Sequence, residues 1–322
     1  MKSKKHWVKS LLVAAGLVLG AITTAAPASA QLCSFNISAP HFANADLLAG
    51  APIDTFGGLT ISCSGVANQV VQVCANFDAG SGGAATDGSA RYLIQASNQI
   101  NYNMFQDSAR SVVWGSTLGG MGATSPPNIL VGLNASGTGN ANASIYARLF
   151  GQQSTAPVGL YSSGITATIR YAYYSGLGCA SLTGATTVQT ASINANYVAG
   201  CLINATPLNF GNIGIITAPI DSLSVLSVKC SNGSSYSVAL DGGLTGASDP
   251  TLRRMKFSTN TLFYGLFQDP ARQYPWGPTL PQSVLGTGSG GIQEVPVYGR
   301  IRTQQTPPPG LYLDTIVATV TY

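Results

Sequence analysis

The stretch that decides the fold is Ile316-Val317-Ala318-Thr319-Val320-Thr321-Tyr322, at the C-terminal end of the sequence. Side chains alternate between the two faces of a β-strand, so Ile316, Ala318, Val320 and Tyr322 share one face. No turn or further strand follows, so we expect this strand to lie at a sheet edge or to pair with a strand from another chain. These four residues are therefore the predicted acceptor edge for a donated strand.

The same pattern occurs earlier in the chain, where Ile165, Ala167, Ile169 and Tyr171 repeat the apolar face. The match extends over most of the sequence, which is the mark of an internal duplication. The other matched pairs are Ala-Pro-Ile-Asp at 51–54 and 218–221, Tyr102 to Asp107 with Tyr264 to Asp269, Trp114-Gly115 with Trp276-Gly277, and Gly159-Leu160-Tyr161 with Gly310-Leu311-Tyr312. The duplication predicts two homologous domains.

The composition favours β-structure over helices. Only 8% of the residues are charged and the chain contains 38 glycines, whereas long helices are rich in Glu, Lys and Leu. Short apolar segments broken by Gly, Asn and Pro are typical of antiparallel sandwiches. The predicted fold class is all-β, with two immunoglobulin-like antiparallel β-sandwich domains in tandem, the second lacking its final strand.

Residues 1–30 have the pattern of a secretory signal peptide: a basic start, the apolar run Leu11 to Leu19, and Ala28-Ser29-Ala30 as a cleavage site. The four lysines of this segment account for the formal net charge of +4. Because the remaining chain is neutral, it offers no electrostatic basis for binding nucleic acid. We expect a secreted protein.

An even number of cysteines in an exported chain indicates disulfides. Cys33 and Cys63 occupy the same places in the first copy as Cys201 and Cys230 in the second, so each pair is expected to join the first two strands of its domain. The two cysteines without counterparts, Cys74 and Cys179, are then expected to pair with each other.

The segment between the two copies also alternates. Ala191, Ile193, Ala195 and Tyr197 share one face, which predicts a half-buried strand over 187–198 rather than a flexible linker. Its expected place is beside the strand that ends near Tyr171, as the last strand of the first domain. The predicted domains are 31–178, completed by 187–198; a connecting, donor-like segment 179–200; and 201–322.

The second copy resembles the spore coat protein U domain family. The resemblance rests on Asn209-Phe210-Gly211 between Cys201 and Cys230, Arg254-Met255, Trp276-Gly277, Val297-Tyr298-Gly299, and Pro309-Gly310-Leu311-Tyr312 followed by Val320-Thr321-Tyr322. The first copy departs from the family pattern, because Phe56-Gly57-Gly58 does not stand where Asn209-Phe210-Gly211 does. Such drift fits a domain that no longer polymerises.

The resemblance implies a role in archaic chaperone–usher pili, whose pilins are immunoglobulin-like domains lacking their final strand. A neighbouring subunit supplies that strand after a periplasmic chaperone has done so temporarily. A two-domain member is similar to the tip adhesin. The implied partners are the periplasmic pilus chaperone, the outer-membrane usher, the next pilin subunit and an abiotic or host surface. The implied location is the periplasm during assembly and then the cell surface at the pilus tip.

The residues point the same way. Only Gln31-Leu32 precedes Cys33 after the predicted cleavage site, and two residues are too short to fill a groove in another subunit. We therefore expect the chain to accept a strand and to donate none. The corresponding expectation is a tip adhesin that attaches cells to surfaces, as in biofilm formation.

A ligand is expected at the end of domain 1 that carries the 172–186 turn, because loops at one end of a sandwich are the usual place for recognition. The segment between Trp114 and Tyr146 is ten residues longer than its counterpart and unusually apolar. The predicted surface-binding residues are Leu118, Met121, Ile129, Leu130, Val131, Leu133 and Leu177, with Leu182 and Val66 as further contacts. The alternative is that Ile129, Leu130 and Val131 form a short strand packed into their own domain.

The sequence gives little basis for catalysis. After the signal peptide it has one histidine, His41, and no cysteine spacing suited to zinc. We predict no enzyme, no cofactor and no metal. Two other functions stay open: a sugar-binding, lectin-type adhesin on the same scaffold, and a secreted coat or matrix protein.

Overall fold

The computed structural model describes residues 31–322, and the predicted signal peptide lies outside them. Their regular secondary structure is almost entirely β-strand, joined by turns and irregular segments, which confirms the all-β fold class. A single turn of 3₁₀-helix lies at Cys179–Ser181. Within 31–322, no helix has the length and apolar character needed to cross a membrane.

Ten strands form the first sheet system. They are β1 (Leu32–Ser38), β2 (Phe42–Ala45), β3 (Ile53–Ser64), β4 (Val70–Phe77), β5 (Arg91–Gln95), β6 (Asn98–Phe105), β7 (Ile129–Gly132), β8 (Thr138–Leu149), β9 (Gly159–Tyr173) and β10 (Ala185–Tyr197). Their order is β1-β3-β8-β6-β5-β9-β10-β2, and β4 pairs with both β9 and β7. We call this part domain 1.

Eight strands form the second part, domain 2. They are β11 (Cys201–Ala205), β12 (Ile220–Cys230), β13 (Ser235–Leu240), β14 (Arg253–Phe257), β15 (Asn260–Phe267), β16 (Val284–Thr287), β17 (Gln293–Ile301) and β18 (Ala318–Thr321). One sheet has the order β11-β12-β17-β15-β14, and the other has the order β16-β13-β18. This two-domain architecture is the one that the duplication predicts.

Eight strands of domain 1 pair with one another in the same order as the eight strands of domain 2. In domain 1, β4 lies between β7 and β9, and in domain 2, β13 lies between β16 and β18. Two strands of domain 1, β2 and β10, have no counterpart among the strands of domain 2. β10 runs antiparallel to β9 along its full length and parallel to β2, so it fills the space between them.

Each domain has its own core. Alternation along the strands sends every second side chain inward, so the core of domain 1 is built from β3, β4, β6, β8 and β9. β10 adds Ile193, Ala195 and Tyr197, all essentially without exposed surface. The core of domain 2 contains Val228, Val238, Trp276 and Ile301 with their neighbours.

A buried arginine lies beside the tryptophan of each core. Arg91 donates hydrogen bonds to the carbonyl oxygens of Trp114, 2.8 Å, and Asp78, 2.9 Å. Arg253 donates to the carbonyl of Trp276 at 2.7 Å and to that of Asp241 at 2.8 Å. Because a buried polar group needs partners, these bonds fix the same turns in both domains.

The structure holds three disulfides, Cys33–Cys63, Cys74–Cys179 and Cys201–Cys230. This is the pairing that the duplication predicts. The first and third join directly opposite residues of neighbouring strands. The second joins β4 to the 3₁₀ turn and so braces the connection between β9 and β10.

Domain 2 docks on domain 1 through the turn that follows β12. The Asn232 side chain donates to the Thr155 carbonyl at 2.7 Å, and the Val158 N–H donates to the Asn232 carbonyl at 3.3 Å. The Lys229 ammonium also donates to the Leu48 carbonyl at 3.0 Å. The junction therefore lies near the first residues of β9 and the last residues of β10.

Candidate functional site

Three turns meet at the end of domain 1 where β9 ends and β10 begins, which we call the distal end. The strand register shows this. Val71, near the start of β4, lies opposite Tyr173, the last residue of β9, and opposite Val131, near the end of β7. The turns span residues 65–69, 133–137 and 174–184. Since β10 starts at this end and finishes next to domain 2, the distal end lies at the opposite end of domain 1 from the junction.

Hydrogen bonds join these turns to one another. The Gly65 N–H donates to the Gly137 carbonyl at 2.9 Å, and the Val66 N–H donates to the Tyr173 hydroxyl at 2.8 Å. Gly137 has a φ of +74°, and a Cβ there would lie 2.3 Å from the Gly65 carbonyl oxygen. Glycine is therefore the residue that permits this close approach.

The 174–184 turn is held on the outer face of the sheet. The disulfide Cys74–Cys179 anchors it, and the buried Gln72 side chain donates to the Leu177 carbonyl at 2.7 Å. Leu182 is buried beside the disulfide in a small cluster of its own. The turn is therefore a fixed platform, and Leu182 is part of its packing rather than of its surface.

The predicted surface residues divide into two groups. Leu118, Leu130 and Leu177 are exposed, with 43%, 46% and 53% of their surface accessible, and Ile129 is half-buried. The prediction is wrong for Met121, Val131 and Leu133, which are buried.

Strand geometry explains why two of these predictions fail. Residues Ile129–Gly132 form β7, as the alternative interpretation held, and alternation turns Val131 inward and Leu130 outward. Leu133 follows β7 and packs into the core of domain 1.

Met121 is buried for a different reason. Its carbonyl accepts hydrogen bonds from the Thr124 hydroxyl and N–H, and its turn lies against Gly88. The inserted segment therefore folds back onto the flank of the domain before it enters β7. It does not project as a loop from the distal end.

Leu118 belongs to that flank. The neighbouring Thr117 N–H donates to the Asn76 side chain at 2.8 Å, and Asn76 lies opposite Thr168 in the sheet. Thr168 is five residues before the end of β9, a distance of about 17 Å along a strand. The structure therefore brings Leu130 and Leu177 to the distal end but leaves Leu118 away from it.

One exposed residue of the distal end was missed by the sequence prediction. Tyr174 follows β9 directly, its N–H donates to the Val70 carbonyl at 2.8 Å, and 44% of its surface is accessible. Alternation provides the signal that could have found it, since Tyr171 and Tyr173 face inward and the next residue turns outward. We call Val66, Leu130, Tyr174 and Leu177 the distal apolar set.

The predicted acceptor edge differs between the two domains. Ile165, Ala167 and Ile169 of β9 are fully buried under β10. Their equivalents Ile316, Ala318 and Val320 are only half-buried, and Tyr322 is 60% exposed. In the described residues β18 pairs on one side only, with β13.

The segment of domain 2 that is equivalent to β2 is open as well. In domain 1, β2 pairs with β10, and Phe42, Ala45 and Leu47 are buried. The corresponding segment of domain 2 forms no strand, and Ile215 is 81% exposed. Domain 2 therefore carries an apolar groove between β18 and residues 208–216, at the place where domain 1 holds β10.

The ion pairs repeat in both domains. Arg148 and Arg110 hold Asp54 at 2.7 Å and 3.1 Å, and Arg300 and Arg272 hold Asp221 at the same two distances. The Arg148 hydrogen bond lowers the pKa of Asp54, and Arg300 does the same for Asp221. Because both copies keep the arrangement, we interpret it as structural support for the strands.

Replacing Asp54 by Asn is expected to cost domain 1 about 0.5–1 kcal/mol at neutral pH, as for an exposed ion pair. The folded pKa is depressed, so this contribution is present above the unfolded pKa of about 4 and is lost as the pH falls through the folded value. Urea unfolding of both proteins at about pH 6 and about pH 2.5, followed by Trp114 fluorescence in a Trp276→Phe background, measures the change. Asp221→Asn is the matched control and should leave domain 1 unchanged. A difference that persists undiminished in acid would contradict the prediction.

Two buried groups of domain 1 also have shifted pKa values. Desolvation lowers the pKa of Arg91 to about 10 and raises that of Tyr102 to about 12. Both groups are therefore in their ordinary protonation states at neutral pH, and neither supplies a proton-transfer group. Among residues 31–322, no three His, Cys, Asp or Glu side chains lie close enough together to hold a metal ion.

Comparisons with known proteins agree with this architecture. A family model described as Spore Coat Protein U domain matches residues 20–168 and 186–319. The chain is also similar to Protein U of Myxococcus xanthus, with 34% identity over 151 residues that cover 41% of this chain and 84% of the relative.

Two solved structures are similar over most of the chain. One is from the CsuC–CsuE chaperone–tip adhesion subunit pre-assembly complex of the archaic chaperone-usher Csu pili of Acinetobacter baumannii. The identity is 14%, the match covers 90% of this chain and 100% of that one, and the TM-score is 0.50. The other is the CupB6 tip adhesin from Pseudomonas aeruginosa, with 12% identity, coverage of 90% and 94%, and a TM-score of 0.39. At such identities, the likeness to the first structure concerns the fold alone.

Proposed function

Because the chain belongs to the spore coat protein U domain family, we propose that it is the tip adhesin subunit of a chaperone–usher pilus. In this role domain 2 accepts a donor strand from the next subunit, and the distal end of domain 1 attaches the cell to a surface. Attachment of this kind contributes to biofilm formation. The contacts of domain 2 support strand acceptance, and the contacts of domain 1 support surface attachment.

The contrast between β9 and β18 carries the first part. The same apolar positions are fully buried in domain 1 and half-exposed in domain 2, although the two domains share the pairing of β4 and β13 with their neighbours. Exposed apolar side chains along an unpaired sheet edge favour the addition of a strand. Domain 1 therefore serves as an internal standard for the completed state of domain 2.

β10 supports the position at the end of a fibre. It fills the groove of domain 1 with a strand of the same chain and leads directly to Cys201. Domain 1 then needs no partner subunit, and domain 2 keeps the one groove that the described residues leave open. A chain with this arrangement joins the fibre through domain 2 alone.

The proposed partners follow from the open groove. A periplasmic chaperone would cover it before assembly. At the outer-membrane usher, the next subunit would replace the chaperone. The protein would then be located at the pilus tip on the cell surface. The solved complex described above pairs a chaperone with a tip subunit of similar fold. The same proposal includes export of the protein, directed by the predicted signal peptide, residues 1–30.

The distal apolar set supports the second part. Val66, Tyr174 and Leu177 lie on turns that the disulfide Cys74–Cys179 and main-chain hydrogen bonds hold in place, and Leu130 lies on β7, which pairs with β4. Apolar side chains on a fixed platform lose little conformational freedom when they meet a hydrophobic surface. Complete desolvation of one such side chain contributes roughly 1.5–3 kcal/mol, so a few contacts per tip and many tips per cell would hold a cell on a hydrophobic abiotic or host surface.

Replacing both Leu130 and Leu177 by Asp is expected to lower the binding of the full chain to polystyrene by about tenfold or more. Each substitution removes a partly exposed apolar side chain and adds a charge that resists desolvation. Adsorption isotherms of the two proteins measure the change. The matched control is Leu223→Asp with Leu285→Asp, two exposed leucines of domain 2, which should bind as the unmodified chain does.

If the variant with both leucines replaced adsorbed as well as the unmodified chain, the proposal that the distal apolar set binds hydrophobic surfaces would be contradicted. If a simple sugar also abolished surface binding by the unmodified chain and by this variant, the lectin-type adhesin would be favoured instead.

A coat or matrix protein is the second candidate, and the description of the matching family model, Spore Coat Protein U domain, favours it. Antibodies raised against domain 1 separate the two. Labelling at one end of each filament is the expected result for a tip subunit. Labelling spread over the cell envelope, without filaments, would support the coat protein.

A further inference from the structure

The acceptor groove of domain 2 contains a carboxylate at a place where domain 1 has a hydroxyl. Gly159-Leu160-Tyr161 aligns with Gly310-Leu311-Tyr312, so Ser163 and Asp314 are equivalent residues. Because Ser163 lies opposite a residue of β10, Asp314 would lie opposite the corresponding residue of a donor strand. The inference below rests on the proposed function, since it concerns which strand this groove accepts.

Domain 1 shows what occupies this position when the groove is filled. Ser163 lies opposite Ile193 in the register between β9 and β10, and both residues are buried. The Ser163 hydroxyl oxygen accepts the Gly82 N–H at 3.1 Å. An apolar donor residue is therefore compatible with a small, neutral side chain whose oxygen already has a partner.

Domain 2 presents a different surface there. Asp314 accepts hydrogen bonds from the Tyr264 hydroxyl at 2.6 Å, from the Leu244 N–H at 2.8 Å and from its neighbour, the Thr315 N–H, at 2.9 Å. A carboxylate has about four acceptor positions, so one remains for a further donor. The residue is half-buried in the open groove, and water can reach it until a strand covers it.

Strand addition would change the surroundings of this carboxylate. Residues directly opposite each other in an antiparallel pair have Cβ atoms about 4.5–5.5 Å apart on the same face. An apolar side chain opposite Asp314 would remove water from the carboxylate and return no hydrogen bond, which is unfavourable. An amide or hydroxyl group at that position would replace the lost water.

We propose that Asp314 is a specificity-determining residue of the acceptor groove. It selects a donor strand that carries a neutral hydrogen-bond donor, Asn, Gln, Ser or Thr, opposite its carboxylate. The same preference acts against β10 of a second copy of this chain, which would place Ile193 there. Asp314 therefore favours the strand of a different subunit over that of another tip subunit.

The test uses the full chain and three labelled peptides that copy residues 185–199, the first with the natural sequence and the second with Ile193→Asn. Fluorescence anisotropy gives the dissociation constant of each. The Asn peptide is expected to bind the unmodified chain about tenfold more tightly, as for a hydrogen bond to a charged group. A third peptide with Val188→Asn is the control, because Val188 is 57% exposed on the outer face of β10.

Asp314→Ser reproduces the arrangement of domain 1 and should abolish or reverse the preference. Asp314→Ala, which has no acceptor oxygen in its side chain, serves the same purpose if the serine variant does not fold, as judged by circular dichroism. Equal binding of the two peptides to the unmodified chain, or a preference that persists in the Asp314 variants, would overturn the inference while leaving strand acceptance intact. Absence of binding by every peptide would overturn both this inference and the open groove of the proposed function.

Discussion

Extending the chain beyond Tyr322 with a copy of residues 172–199 is expected to raise the unfolding temperature of domain 2 by roughly 10 °C or more. Tyr322 is the equivalent of Tyr171, so the copy begins in the register that domain 1 uses. The added strand covers Ile316, Ala318 and Val320, and burying half-exposed apolar side chains of this size contributes about 3 kcal/mol. Cys179→Ser in the copy removes a thiol that has no partner in domain 2.

Thermal unfolding of the mature chain measures this effect. Apart from Trp7 in the signal segment, each domain has one tryptophan, Trp114 and Trp276, so a Trp114→Phe background lets fluorescence report on domain 2 alone. The control carries Ala195→Asp in the appended copy, where a charge would face the core. An unfolding temperature that is the same in all three proteins would show that domain 2 is already complete, and the tip-subunit proposal would then be wrong.

Replacing Ile193 by Ala is expected to cost domain 1 about 2–5 kcal/mol, the range for a large-to-small change in a packed core. Ile193 has no exposed surface and lies opposite Ser163 in the middle of the β9–β10 pairing. The result measures how far domain 1 depends on its own final strand. Urea unfolding followed by Trp114 fluorescence, in a Trp276→Phe background, gives the difference.

Val188→Ala is the matched control, because Val188 lies on the same strand with its side chain in solvent. Its expected cost is within about 0.5 kcal/mol. If the two variants were equally stable, β10 would not be part of the core of domain 1. The groove of domain 1 would then resemble that of domain 2, and the asymmetry between the domains would be lost.

The duplication made much of the fold predictable from the sequence. Alternating apolar residues predicted both final strands, and the unmatched Cys74 and Cys179 predicted the pairing seen in the structure. The predicted strand 187–198 lies within two residues of β10, Ala185–Tyr197. Such features are readable because burial on one face imposes a period of two on the chain.

The distal surface was less predictable, for a physical reason. Apolar composition in an insertion shows only that its side chains prefer to leave water, and both a foreign surface and the core of the same domain satisfy that preference. Val131 is buried in the core of domain 1 as part of β7, Leu133 packs into the same core just after β7, and Met121 is buried where its turn folds against residues 85–89. The choice between the two depends on strand pairing with β4, which the sequence of the insertion does not contain.

The long pairing of β10 has a mechanical consequence. All thirteen of its residues face residues of β9, from Ala185 opposite Tyr171 to Tyr197 opposite Gly159. Tension between the distal end and domain 2 acts along this strand, whereas its hydrogen bonds lie across it. The bonds are therefore loaded in shear and resist together instead of opening one at a time. A covalent strand in this orientation lets domain 1 transmit a pulling force without peeling apart.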